Sequence, residues 1–349
     1  MRVLFLTLYP EAAASPRYRV HQFLPHLRAQ GFDCTAAPAV TRRIWSRHSG
    51  PNRRGRAFWY HAHETPRRLA QLLGARRYDV IVLQKALMSA YLRGMPALLR
   101  AVGDRLVYDM DDAVHLAPPH PLRGLWRHFE DRDQVTALMR AARVTLAGNA
   151  WLAEEVANAG GHAERFPTVV DTERFTPAVQ PDSAFRLGWI GAPSTTPDLA
   201  AAVEALAGAA DTAVRLVGAD PDTVHWPEAE VLPWSQDREV EWVQSFSAGL
   251  MPLRKTDWTK GKCALKALLY MACGVPCIAT PWGAVRDIIV DGENGVFADS
   301  PEEWRTAVDR LRDPGYRQSL GEAARYTVEA RFSLHKAAPG LASLLEAVR

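Results

Sequence analysis

The sequence is poor in the residues that mark a disulfide scaffold or a metalloprotein. It has four cysteines in 349 residues: Cys34, Cys263, Cys273 and Cys277. Cys273 and Cys277 flank Gly-Val-Pro and have no histidine near them. A structural zinc site needs a full set of thiolate and imidazole ligands at close spacing, so no metal is expected and all four thiols are read as reduced. Long apolar runs are also missing. Val3-Leu4-Phe5-Leu6 follows directly on Met1-Arg2 and is too short for a secretory core. No run approaches the roughly 20 apolar residues of a membrane helix. A cytoplasmic protein is expected. Charge of one sign is lacking too: the formal net charge is +3, so overall charge selects no partner. With 48% apolar and 23% charged residues, the balance is that of a folded globular chain and excludes disorder.

What is present is a rhythm. Short apolar segments at 3–8, 79–83, 105–109 and 142–147 have strand length, and residues 20–27 and 151–159 repeat apolar side chains near helical spacing. A Pro-rich, polar stretch from Thr176 to Ser183 reads as a linker. The rhythm then restarts, with strands expected at 185–190, 214–217, 248–251 and 275–279 and helices at 200–209, 239–246 and 263–273. Alternating strands and helices predict α/β architecture with parallel sheets covered on both faces. The length is more than one core needs. Two Rossmann-like domains are the simplest account, one over 1–178 and one over 184–332.

Ligands of open α/β sheets bind beyond the carboxyl ends of the strands, and two loops of the second half fit that rule. Gly188-Trp-Ile-Gly191-Ala-Pro-Ser194-Thr195-Thr196 is a strand-to-helix turn. Small residues such as Gly191 admit a ligand close to the backbone. Ser194 and Thr195 can cap the following helix, whose free N–H groups suit a phosphate. The bland reading is an ordinary turn. In Trp258-Thr-Lys260-Gly261-Lys262-Cys263-Ala-Leu-Lys266, three lysines crowd an expected helix start. Positive charge there opposes the helix dipole, and a bound diphosphate would offset it. Lys262 and Lys266 are four apart and share a face if Lys262 lies in the first turn. A solvated lysine face is the alternative. Gly261 and the apolar continuation from Ala267 to Pro276 favour a buried, positioned loop.

In the first half, Arg17 and Arg19 follow the first strand, where they bind an anionic acceptor or the donor diphosphate, or merely open an exposed helix. Gln84 and Lys85 end another strand and have a similar claim. Trp234 follows a strand-like segment and lies against a nucleobase or in the core. From Arg42 to Arg77 there are ten arginines and one acid, Glu64, with Trp45, Phe58, Trp59 and Tyr60 among them. The stretch 42–77 suits an anionic lipid surface or acceptor, or is a soluble arginine-rich segment. No nucleic-acid module is recognisable, and no nucleic-acid partner is expected.

Met271-Ala-Cys-Gly-Val-Pro-Cys-Ile-Ala-Thr280 and Asp291-Gly-Glu-Asn-Gly-Val-Phe297 resemble the C-terminal half of glycosyltransferase family 4. Pro167-Thr-Val-Val-Asp171-Thr-Glu-Arg-Phe175-Thr-Pro177 resembles the end of that family's first domain, and Arg186-Leu-Gly-Trp-Ile-Gly the first strand of its second. Tyr108-Asp-Met-Asp-Asp112 and Ser15-Pro-Arg-Tyr-Arg19 are similar to first-domain motifs of one branch. The resemblance implies GT-B architecture, with two Rossmann-like domains facing across a cleft. Residues 1–178 would form the acceptor side and 184–332 the nucleotide-sugar side, with the helix of 333–349 packing back on the first domain. It further implies transfer of a sugar from a UDP- or GDP-sugar to a hydroxyl of a sugar, lipid-linked or small-molecule acceptor, with retention and without metal or cofactor. Gly191, Ser194, Thr195, Trp234, Gly261, Lys262 and Lys266 are then the donor-binding candidates.

Asp109, Asp111 and Asp112 carry three readings: a metal-holding pair as in GT-A transferases, turn carboxylates, or a catalytic wall that binds sugar or acceptor hydroxyls. Two departures from the family stand out. Many members carry Glu-x7-Glu where this chain has Gly261 and Leu269, so ribose recognition must come from elsewhere. A first-domain histidine is also missing at its usual place, with His115 a few residues on. Asp287 is given a structural role. A nucleotide-sugar epimerase and a non-catalytic nucleotide-sugar-binding protein are the rival readings.

Overall fold

The computed structural model describes residues 1–48, 56–94, 97, 105–122, 124–178, 185–209 and 211–349. The described chain divides into two compact units. The first is Met1–Thr168 with Lys260–Cys263 and Ala337–Arg349; the second is Val169–Thr259 with Ala264–Lys336.

The first unit carries strands β1 (Arg2–Thr7), β2 (Asp33–Pro38), β3 (Val80–Gln84), β4 (Leu106–Met110), β5 (Val144–Ala147) and β6 (Ala163–Arg165). They form a parallel sheet in the order β2-β1-β3-β4-β5-β6. β3 and β4 are buried along their whole length, which is why they read as continuous apolar runs rather than alternating ones. Strand order reverses between β1 and β3, the topological switch point at which such sheets bind ligands. Register sets Thr7 beside Gln84 and Gln84 beside Asp109 at the carboxyl ends of β1, β3 and β4.

Helices α1 (Ala14–Arg19), α2 (Leu24–Ala29), α3 (Arg42–His48), α4 (Arg56–Gly74), α5 (Gln134–Ala141) and α6 (Ala150–Asn158) belong to this unit. The helix expected over 20–27 is broken by a 3-10 turn at His21–Phe23. Pro25 suits a first turn and not an interior, so α2 starts afresh there. β2 has no counterpart among the expected strands. Its Asp-Cys-Thr-Ala-Ala-Pro holds no apolar run and only Cys34 is buried, as an edge strand allows.

The second unit has β7 (Arg186–Ile190), β8 (Ala213–Val217), β9 (Ala229–Leu232), β10 (Ala248–Met251), β11 (Cys277–Ala279) and β12 (Val296–Phe297). Their parallel order, β12-β11-β10-β7-β8-β9, is the doubly wound Rossmann order with its switch between β7 and β10. Around it stand α7 (Ala200–Leu206), α8 (Glu239–Gln244), α9 (Asp257–Lys260), α10 (Leu265–Ala272), α11 (Val285–Ile288), α12 (Pro301–Arg312) and α13 (Pro314–Arg331), and α14 (Leu334–Val348) ends the described chain. Trp189 and Trp304 fill the core with Leu187, Leu216, Leu250, Ile278 and Leu311. α12 starts on a reciprocal cap in which Ser300 and Glu303 satisfy each other's backbone N–H groups.

The compact units do not divide where the Pro-rich linker was expected. Residues 169–178 group with the second unit, and residues 179–183 of that linker lie outside the described residues. Arg325 holds the 169–178 segment in place. Its guanidinium donates to the carbonyls of Thr172, Phe175 and Ala272. From Ala337 on, α14 counts with the first unit, where Leu341, Ala342 and Leu345 are buried.

Candidate functional site

In the first unit the polar residues that follow β1, β3 and β4 form one network. Arg17 and Arg19 do not open an exposed helix: they are 6% and 4% exposed. Arg19 Nε lies 3.1 Å from both carboxylate oxygens of Asp109, and its Nη1 donates to the carbonyl of Phe166 at 2.8 Å. Burial works against the Arg19 charge, but the Asp109 carboxylate more than restores it, so the guanidinium stays protonated. Burial pushes the Asp109 pKa up and the Arg19 guanidinium opposes it, so the carboxylate depends on that pair to hold its charge. Asp111 accepts from Ser15 Oγ and, at 3.2 Å, from Gln84 Nε2, which also donates to Ser15 Oγ at 2.6 Å. Lys85 adopts a left-handed backbone, φ 71°. It is held there by the Tyr108 hydroxyl, which donates to its carbonyl at 2.7 Å, while its ammonium pairs with Asp112. Burial would lower the Lys85 pKa; Asp112 and Asp111 outweigh it and keep the lysine charged. Of the three aspartates, Asp111 and Asp112 are partly exposed and Asp109 is buried. A non-glycine residue in this backbone region, at a switch point, is the kind of over-determined strain that accompanies function.

The lysine-rich loop departs from its expected geometry. α10 starts at Leu265, after Ala264 at φ 52°, so Lys262 precedes the helix and does not share a face with Lys266. Lys260 ends α9, where a cation suits the helix dipole rather than opposing it. The reason lies in what grips the loop. Lys260–Cys263 belongs to the first unit. Asn149 Nδ2 donates to the carbonyls of Lys260 and Lys262, each at 3.2 Å. Cys263 Sγ donates to the carbonyl of Asp111 at 3.2 Å. Lys260 Nζ stands 5.4 Å from the centre of the Trp151 ring. Glycine is required twice here: a Cβ on Gly148 would meet Cys263 Sγ at 2.2 Å, and one on Gly261 would meet Ala113 at 2.7 Å. Burial pushes the Cys263 thiol up, so it remains a neutral donor.

In the second unit the turn after β7 and the start of α10 come together. Lys266 Nζ sits 4.5 Å above the Trp189 ring and donates to Thr195 Oγ1 at 3.3 Å. A Cβ on Gly191 would strike Trp189 at 2.4 Å and the Lys266 stem at 2.8 Å. The Tyr270 hydroxyl accepts from the Ile190 N–H and donates to the Leu250 carbonyl, tying the carboxyl ends of β7 and β10 together. Ser194 and Thr195 are not helix caps. A 3-10 segment, Pro193–Leu199, intervenes, and α7 starts on Leu199 with no side-chain cap. Pro197 disfavours an α conformation just before it, and Thr196 instead accepts from the Asp220 N–H at 2.8 Å. Ser194 is exposed.

Trp234 is half-buried, neither core nor free-standing, and its Nε1 donates to Glu239 at 3.3 Å. Leu269 is buried in α10 at 3% exposure. His115 Nε2 lies 3.3 Å from Glu155, and its ring packs beside Trp151. Asp287 sits in α11, and its backbone carbonyl accepts from Arg331. Among the described residues no group of three His, Cys, Asp or Glu is placed to hold a metal ion. Within 42–77, Arg42, Arg43, Arg47, Arg67, Arg76 and Arg77 are exposed. Arg68 and Glu64 are fully buried, so the stretch is not uniformly surface. Residues 49–55 lie outside the described residues. No described helix is long and apolar enough to cross a membrane. Sequence reasoning passed over Asn149 and Trp151, although Asn149 directly before an apolar helical run is a legible cap signal.

This geometry can be set beside known proteins. Residues 184–313 match the family model described as Glycosyl transferases group 1. The match runs from just before β7 to the end of α12 and takes in the Gly191 turn and Lys266. A curated relative, N-acetyl-alpha-D-glucosaminyl L-malate synthase of Bacillus anthracis, is 35% identical over 69 residues, which is 19% of this chain and 18% of that protein. Among solved structures, sucrose-phosphate synthase from Thermosynechococcus elongatus has a TM-score of 0.72 at 15% identity, covering 99% of this chain and 98% of its own. Anabaena HepE in complex with UDP and glucose has a TM-score of 0.71 at 14% identity over 99% and 100%. A glycosyltransferase from Rickettsia africae has 0.64 at 10% over 99% and 98%. The fold is GT-B: each unit is a Rossmann-like parallel sheet, and the likeness runs the length of the chain. The GT-A reading of the aspartates falls with it.

Proposed function

We propose that this chain is a glycosyltransferase that moves a sugar from a nucleotide diphosphate-sugar to an acceptor hydroxyl, with retention and without metal or other cofactor. The observation that carries the proposal is the family-model match over 184–313, which contains the Gly191 turn, Thr195 and Lys266 at the β7/β10 switch point. On this reading Lys266, Thr195, Ser194, Gly191 and Trp234 serve the donor, and Gly261 and Lys262 add a cation on their loop. The leaving diphosphate gathers negative charge as the sugar departs, and cations and backbone N–H groups aimed at it stabilise that charge. An oxygen of the donor phosphate takes the acceptor proton, so no carboxylate pair of the glycosidase kind is needed. Asp111 and Asp112, with Arg17, Gln84 and Lys85, offer donors and acceptors to the hydroxyls of a sugar, lipid-linked or small-molecule acceptor. Asp109 and Arg19 brace them. Peripheral contact with an anionic membrane through 42–77 would use the exposed arginines and not Arg68.

The test is incubation with UDP- and GDP-sugars, with and without chelator, following slow hydrolysis to the free nucleotide. Hydrolysis that survives the chelator is the expected result, and with an acceptor in hand the anomeric configuration of the product is read by NMR. Neither binding nor hydrolysis with any nucleotide sugar would sink the proposal. Lys262→Ala should weaken nucleoside diphosphate binding far more than nucleoside binding; equal loss would remove Lys262 from the donor set. Buried Leu269, where many family 4 members carry an acid, favours a second reading, a nucleotide-sugar-binding protein without catalysis. Binding with neither hydrolysis nor transfer would select it.

A further inference from the structure

We infer that Asn149 is a positioning residue for Lys262, holding the lysine loop through its side-chain amide. The inference rests on the donor reading proposed above. Asn149 follows β5 and opens α6, and it is 4% exposed. Both ends of its amide are engaged. Oδ1 accepts from the Leu152 N–H at 2.8 Å and so caps α6. Nδ2 donates to the carbonyls of Lys260 and Lys262, both at 3.2 Å. The two carbonyls flank Gly261, which packs so closely on Ala113 that no side chain fits there. Cys263 anchors the far end through Asp111. The strap from Lys260 to Cys263 is thus fastened at both ends and in its middle. Direct donation to the carbonyl of Lys262 sets where its side chain begins.

The two ends of the amide can be separated chemically. Serine also caps helices, but its hydroxyl is too short to reach the strap from the same cap. Aspartate keeps a capping oxygen and turns the other end into an acceptor facing two carbonyls. Asn149→Ser and Asn149→Asp are therefore compared with the wild-type chain and with Lys262→Ala for binding of UDP and GDP, against uridine and guanosine, by titration calorimetry. Thermal melts show whether each variant stays folded. In Asn149→Ser, affinity for the diphosphate that the wild type binds is expected to fall roughly tenfold, as for a displaced binding group, while nucleoside affinity and the melting temperature hold. Asn149→Asp falls further. The double variant Asn149→Ser with Lys262→Ala is expected to bind no more weakly than Lys262→Ala alone, because Asn149 acts through that lysine. Additive losses, or undiminished affinity in a folded Asn149→Ser chain, would overturn the inference and leave the donor reading standing. A wild-type chain that binds neither diphosphate would instead overturn the donor reading, and the inference with it.

Discussion

The carboxyl ends of the two sheets hold their charges differently, although each contains an acid–base pair, Arg254 with buried Asp198 in the second. In the first unit, acids and bases grip one another: Arg19 with Asp109, Lys85 with Asp112, and Gln84 and Ser15 with Asp111. In the second unit, Lys266 rests on an aromatic face and a hydroxyl beside a glycine turn. A buried ion pair is held on to because breaking it strands a charge. A cation leaning on an aromatic ring keeps its charge while only partly desolvated, and remains able to meet an anion. The first edge therefore shapes a rigid wall, and the second presents a charge.

Three substitutions separate the two edges, and a pH series probes the first unit away from its edge. Asp109→Ala should have the largest effect. It leaves the Arg19 guanidinium buried without its carboxylate and should cost about 3–5 kcal/mol in urea denaturation. The pair variant Arg19→Met with Asp109→Leu should recover much of that loss. If Asp109→Ala is as stable as the wild type, the first edge is not a brace. Next comes Gly191→Ala, whose Cβ would collide with Trp189 and the Lys266 stem. Overpacking of this kind costs about 1–3 kcal/mol, and nucleoside diphosphate affinity should fall with it.

Lys266→Met keeps the contact with Trp189 and removes the charge. Stability should shift by no more than about 1 kcal/mol, while UDP or GDP affinity drops about tenfold or more. A large loss of stability without loss of affinity would invert the contrast between the two edges. The smallest effect concerns His21. Burial lowers its pKa below the ordinary value, with Arg28 adding to this and Glu11 opposing it. A folded pKa below the unfolded one gives stability that is present above pH 6.5 and lost as pH falls through the folded value. Melting temperatures from pH 7.5 down to pH 5 should therefore fall, and His21→Gln should flatten that slope. An identical slope in the variant would exclude His21 as a contributor.

Much of this was legible in the sequence. Short, largely apolar segments bounded by glycine or polar residues announced β1, β3, β4, β7, β8 and β10, since strands buried on both faces tolerate few polar residues; partly exposed Arg215 interrupts β8. Alternation with helical spacing announced two parallel sheets, and the rule that ligands gather at carboxyl ends picked out the Gly191 turn and the lysine loop; Arg17, Arg19, Gln84 and Lys85 were singled out because they follow strands, and the three aspartates came with the family resemblance. β2 escaped because an edge strand needs no apolar run. What the tertiary structure alone decided is how those residues are divided. That Asp109 is given to Arg19 while Asp111 and Asp112 keep partial exposure depends on which side chains meet across strands distant in sequence. That Lys262 stands outside α10, on a strap fastened by Asn149, depends on hydrogen bonds between residues more than a hundred apart. Local periodicity carries burial and secondary structure; it cannot carry the partner of a charge, because a partner is chosen by the fold and not by the neighbours in the chain.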